Sequence, residues 1–207
     1  MQTEHITLPT QTPGHRQQLT VLRFGQAGHG PKAYVQAALH ADEIPALLVA
    51  QKLRVLLAAE DAAGQVLGEV VLVPYANPQG LSQHLLGQHI GRFDLRDGVN
   101  FNRMVPDLTE TAAAAVEGRL GSDAAANEAL VRQALLSAAT ALRSTDPAVE
   151  LKNRLMQLAA DAHVVLDLHC DSEAVMHLYA LTPQADQAAE LGACLGARAI
   201  LLATESG

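Results

Sequence analysis

A histidine and a glutamate three residues apart, His40 and Glu43 in the segment HADE, carry the most chemical promise in this chain. Two histidines and one carboxylate are the usual donors of a catalytic zinc ion, which keeps a fourth position open for water. HADE falls where an apolar strand over 33–39 (AYVQAAL) passes into a helix over 45–60. Positions i and i+3 lie on one side of a helical turn, so both side chains can meet one ion. The third donor is His169, which follows directly on the strand HVVLDL at 163–168. Ligands bind at the carboxyl ends of strands in parallel α/β sheets, and both histidines occupy such ends. One short and one long spacer suit a catalytic zinc, whereas structural sites are rich in cysteine. Plainer roles stand beside these: Asp42 and Glu43 as helix caps that answer the dipole, and His169 as a polar strand end.

Arg92, Arg96 and Arg103 gather in one loop of a chain with 14 Lys plus Arg. Such a cluster suits an anion, because a guanidinium grips a carboxylate through two parallel hydrogen bonds. The alternative is a solvated loop in which Asp94, Asp97 and Asp107 are the partners. Asp167 and His169 face the same side of their strand, so Asp167 is either a partner for a ligand or a satisfied polar group. Cys170 reads as a small buried residue, and His177 as a core or surface residue on a face with Val175 and Tyr179. His84, His89 and His163 have no evident partner. Glycine-rich phosphate loops, GxSxG and CxxC are absent.

These groups need a scaffold that sets strand ends side by side. With 207 residues, 49% of them hydrophobic, the chain can bury a core. Strands are expected at 19–24, 33–39, 69–74, 163–168, 175–181 and 199–203, and helices at 45–60, 128–142, 148–160 and 184–195. Residues 77–80 (NPQG) read as a turn, and 81–110 as a surface excursion or site loop. The alternation predicts an α/β fold with a mostly parallel or mixed central sheet flanked by helices. Residues 1–18 read as an extended lead-in, and 19–207 as the domain proper. A net charge of −8 argues against nucleic acid as a partner. No apolar run spans a bilayer, no leader is visible, and two cysteines make no framework; a cytoplasmic chain is expected.

LHADEIPA, NPQG, GRFDLRDGVNFNR and DLH, in that order, resemble the succinylglutamate desuccinylase/aspartoacylase family, of zinc carboxypeptidase-like fold. The resemblance runs from about residue 20 to the end. It implies one Zn2+ ion on His40, Glu43 and His169, and a small substrate carrying a carboxylate held by Asn102 and Arg103. Arg92 would polarise the scissile carbonyl, with Arg96 as runner-up, and Asn77 would shape the pocket edge. The implied activity is removal of an acyl group from an N-acyl amino acid or related small amide by metal-activated water. Peptide carboxypeptidase activity, a silent metal-binding fragment and a metal-free α/β domain are the rival readings. The family's base glutamate and a following β-rich domain have no counterpart before Gly207, apart from Glu205, which comes early. The chain is therefore expected to be incomplete at its C-terminus, and to bind zinc more readily than it turns over substrate.

Overall fold

A computed structural model of the chain describes residues 1–204. It forms two compact units that divide between His169 and Cys170.

The first unit begins with β1 (Gln2–Leu8) and β2 (Gln17–Gly25), then β3 (Lys32–Ala37), α1 (Ile44–Ala62) and β4 (Glu69–Val73). A one-turn helix α2 (Pro78–Leu81) precedes a small hairpin of β5 (His84–Leu85) and β6 (Gln88–His89). Three helices follow, α3 (Thr109–Val116), α4 (Ala124–Ala141) and α5 (Pro147–Ala159), and β7 (Val164–Leu168) closes the unit. Five strands join in the order β1-β2-β4-β3-β7. The β1–β2 and β2–β4 pairs are antiparallel, while β3 runs parallel to both β4 and β7. The sheet is thus mixed, with its parallel part where the candidate donors lie.

Alternation along the strands sends side chains to opposite faces. Val71, Val73 and Tyr34 pack with Leu151, Leu155 and Leu158 of α5 on one face. Leu72, Val35 and Phe24 pack with Ala46 and Ala50 of α1 on the other. Each fully buried leucine or valine contributes about 1.5–3 kcal/mol, so helices on both faces are what hold the sheet. Helix α4 bridges outward, with Ala138 and Ala139 against Met156 of α5 and the Ala160 that follows it, and Ala134 against Ala112 and Val116 of α3.

Local chemistry explains the helix starts. Asp123 caps α4 by accepting from Ala125 N at 3.0 Å and Ala126 N at 3.2 Å. Asp146 caps α5 from Ala148 N and Val149 N, with Pro147 in the first turn. Three elements differ from expectation. The extended lead-in contains β1, an edge strand whose residues are mostly exposed and so lack an apolar pattern. NPQG is not a bare turn, because Asn77 accepts from Gly80 N and starts α2. Helix α3 went unmarked because its alanine run has little amphipathic contrast; Asp107 accepts from Thr109 N at its start.

The second unit holds β8 (His177–Leu181), α6 (Ala185–Leu195) and β9 (Ala199–Ala203), with β8 and β9 parallel. Gly196 ends α6 at φ +66°, the left-handed conformation glycine adopts without cost. No helix among the described residues is long and apolar enough to cross a membrane. No disulfide joins Cys170 to Cys194.

Candidate metal centre

The chain leaves β3 through Ala38, a buried alanine at φ +58°. That conformation costs a non-glycine residue about 1–2 kcal/mol, and such outliers gather at functional sites. Several bonds hold the turn. Ala76 N donates to Ala37 O at 2.7 Å, and the buried Asn77 amide donates to Leu39 O at 2.9 Å. Ala41 N donates to Gly91 O at 3.0 Å. Gly91 must be glycine, since a Cβ there would lie 2.1 Å from Asp42 N. A Cβ on Gly80 would likewise meet the Asn77 side chain at 2.5 Å. The Asn77 side chain and the Gly91 backbone thus tie NPQG and GRFD to the turn that carries HADE. Asn77, expected at a pocket edge, is fully buried beneath the turn.

Glu43 occupies the position that caps α1, yet its side chain makes no capping bond. The carboxylate turns to the histidines instead. His40 Nδ1 lies 2.9 Å from Oε1, and His169 Nδ1 lies 2.9 Å from Oε2. The two rings meet edge-on with centroids 5.0 Å apart. Donor atoms of His40, Glu43 and His169 all lie within 4.8 Å of one another. His40 and Glu43 are buried, while the His169 side chain keeps 30% of its accessibility.

The distal ring nitrogens are held from behind. Asn100 Oδ1 accepts from Asn102 N at 2.8 Å, which fixes it as oxygen. It lies 2.8 Å from His40 Nε2, which must then be the N–H. Asp167 Oδ2 lies 2.9 Å from His169 Nε2. The Asp167 carboxylate raises the His169 pKa above the usual imidazole value, against the lowering effect of burial, with Glu43 adding to the rise. With Nε2 as the donor, a neutral imidazole points its Nδ1 lone pair at a carboxylate oxygen. A cation or a proton between them relieves that opposition. Two imidazoles and a carboxylate, braced by oxygen acceptors on the far nitrogens, fit zinc.

A tight hairpin brings the arginine loop to this cluster. Phe93 bridges to Asn100, Asp94 N donates to Val99 O, and Phe101 N donates to Arg92 O at 3.1 Å. Arg92 and Asn100 therefore arrive side by side, and Arg92 Nη2 donates to Glu43 Oε1 at 2.6 Å. Arg96 turns away: its Nη2 donates to the buried Asp94 at 2.6 Å, and its Nη1 to Asp146 at 3.0 Å. Gln79 Nε2 also donates to Asp94. Of the two candidates for the carbonyl-polarising role, Arg92 is the one at the cluster. Asn102 and Arg103 follow at the hairpin's end; Arg103 is exposed and donates to Asn102 O.

Asn100, which no spacing in the sequence singles out, opens a turn in which Asn102 N donates to its side chain and Arg103 N to its carbonyl. His84 and His89 stack across the β5–β6 hairpin, with centroids 5.1 Å apart. His163 Nδ1 accepts from Lys32 N. In the second unit, His177 Nδ1 pairs with Val175 O and Nε2 lies 3.5 Å from Asp171. Glu205 lies outside the described residues.

The mixed sheet thus brings two histidines and a glutamate together beside neighbouring strand ends. The model of the succinylglutamate desuccinylase/aspartoacylase catalytic domain matches residues 29–205, and the chain belongs to that family. A family member from Shewanella amazonensis is 27% identical over 90% of this chain and 51% of its own, with a TM-score of 0.76. Another from Shewanella frigidimarina is 26% identical over 89% of this chain and 50% of its own, with a TM-score of 0.68. The ectoine utilization protein EutE (DoeB) from Ruegeria pomeroyi shares the fold at 19% identity, over 99% of this chain and 54% of its own, with a TM-score of 0.56. No curated protein matches significantly. The chain spans about half the length of the solved structures it matches. The family is named for desuccinylase and aspartoacylase, both hydrolases.

Proposed function

We propose that this chain carries the metal-binding part of a zinc-dependent hydrolase that removes an acyl group from an N-acyl amino acid or related small amide. The observation that carries this reading is the convergence of His40 Nδ1 and His169 Nδ1 on the two oxygens of Glu43, each ring held through its other nitrogen. His40, Glu43 and His169 would hold one zinc ion, which when bound supplies a Lewis acid and lowers the pKa of a water. Asn100 and Asp167 orient the two rings, so little reorganisation is needed to bind the ion. Arg92, alongside Glu43, stands where a guanidinium can stabilise negative charge developing on a carbonyl oxygen. Asn102 and Arg103 would receive the substrate's carboxylate, Arg103 through paired hydrogen bonds. Two cysteines that are not joined to each other suit a reducing, cytoplasmic setting.

Zinc loading followed by metal analysis tests the centre. One ion per chain is expected, with the ion lost in His40→Ala and in His169→Ala. A wild-type protein that retains no zinc after loading sinks the reading.

A further inference from the structure

Helix α5 buries polar residues as well as apolar ones, and its Lys152 is only 6% exposed. A buried ammonium is costly unless it is bonded, and this one donates to a backbone oxygen, Arg103 O, at 2.6 Å. Asp97, Asp146 and Asp94 are the acidic groups whose charges act on it. The next residue, Met104, sits at φ +55° with its side chain exposed. A methionine has no local reason to adopt the left-handed region, so something must hold it there. The same helix grips the loop a second time, where its capping Asp146 receives Arg96 Nη1 at 3.0 Å. Helix α5 therefore anchors the arginine loop on either side of Asn100 and Asn102.

We propose that Lys152 is a positioning residue for Arg103. Its buried ammonium fixes the Arg103 carbonyl, holds the left-handed turn at Met104, and so sets where the Arg103 guanidinium meets a substrate carboxylate. The inference rests on the functional reading above for the identity of that carboxylate, though not for the anchoring itself. A charge-assisted bond suits the task, being shorter and stronger than a neutral one.

Lys152→Met tests it, because methionine keeps the length and apolar stem while removing the donors. The zinc-loaded protein is titrated with N-acetyl-L-alanine and with N-acetyl-L-alaninamide, which differ only in the carboxylate. Lys152→Met is expected to cut the preference for the carboxylate about tenfold while zinc content stays the same. A role in stability alone would weaken both ligands equally, and an unchanged preference overturns the proposal. The double variant Lys152→Met/Met104→Gly should recover part of the preference, since glycine takes the left-handed turn unaided. Lys152→Gln, which retains a donor, serves if Lys152→Met does not fold, and should lie between the two. Should wild type bind neither ligand, the functional reading fails and amide exchange over 101–105 decides the anchoring. Faster exchange in Lys152→Met sustains the anchor; unchanged exchange removes it.

Discussion

His40 and His169 present the same ring nitrogen to the same carboxylate, yet the molecule builds their settings differently. His40 follows β3, a central strand with neighbours on both sides, and is buried in a turn held by the Asn77 side chain and the Gly91 backbone. His169 ends β7, the edge strand of the five-stranded sheet, where Val164 and Val165 are about half exposed. Its place depends on the β3–β7 register, Gln36 opposite Asp167 and Ala37 opposite Leu168, and on one carboxylate behind the ring. One donor is thus set by close packing that tolerates no added atom. The other is set by strand pairing and a partly exposed ion pair, which tolerate adjustment. Changes around His40 should therefore cost more than equivalent changes around His169.

Gly91→Ala should have the largest effect. Its Cβ would strike the Ala41–Asp42 backbone, so we expect about 3 kcal/mol or more of lost stability together with loss of zinc. Urea unfolding and metal analysis read both, and a stable, zinc-loaded variant would contradict the rigid turn. Asn100→Leu comes next. It removes the acceptor behind a buried ring, and zinc affinity should fall by about 10–100-fold in a competition assay with a chelator. Asp167→Asn should cost less, about tenfold, because its partner is more exposed. If Asp167→Asn proves the more damaging of the pair, the contrast between the two ends is wrong.

The smallest effect concerns acid. Burial pushes the Asp94 carboxyl up, but bonds from Arg96 and Gln79 outweigh it and hold the pKa below the usual value. Arg96 lowers Asp146 in the same way. A depressed folded-state value means the stabilisation is complete above the unfolded carboxyl pKa, about 3.9, and is lost as pH falls through the lower folded value. Wild type should therefore lose urea stability below about pH 4. Arg96→Met should start lower at neutral pH and lose less on acidification, while zinc binding at neutral pH changes little. Parallel curves would show that Arg96 does not couple to these carboxyls.

Strands at the candidate site could be read from residues because their signal is local: short β-branched or apolar runs bounded by turn residues. Helix α1 has Pro45 near its start and Gly64 after its end, and α5 buries Leu151, Leu155 and Leu158 at helical spacing. Helix α3 and β1 lack such contrast, one being mostly alanine and the other an exposed edge. Spacing also drew His40, Glu43 and His169 together, since two strand ends and one helical turn suffice to place them. Spacing alone does not rank Arg92 over Arg96, because both lie in a loop without periodicity; only the family resemblance puts Arg92 first.

What the sequence determined was the candidate donor set and the sheet that carries it, through chemical type and position along regular elements. Tertiary structure alone decided that Arg92 bonds Glu43, that Asn100 braces His40, that Asp42–Gly91 contact leaves no room for a side chain, and that Lys152 grips Arg103 from a helix far along the chain. The reason is physical. Periodicity sets the face on which a residue lies, while the partner it meets depends on how separate segments pack, and no local pattern encodes that distance.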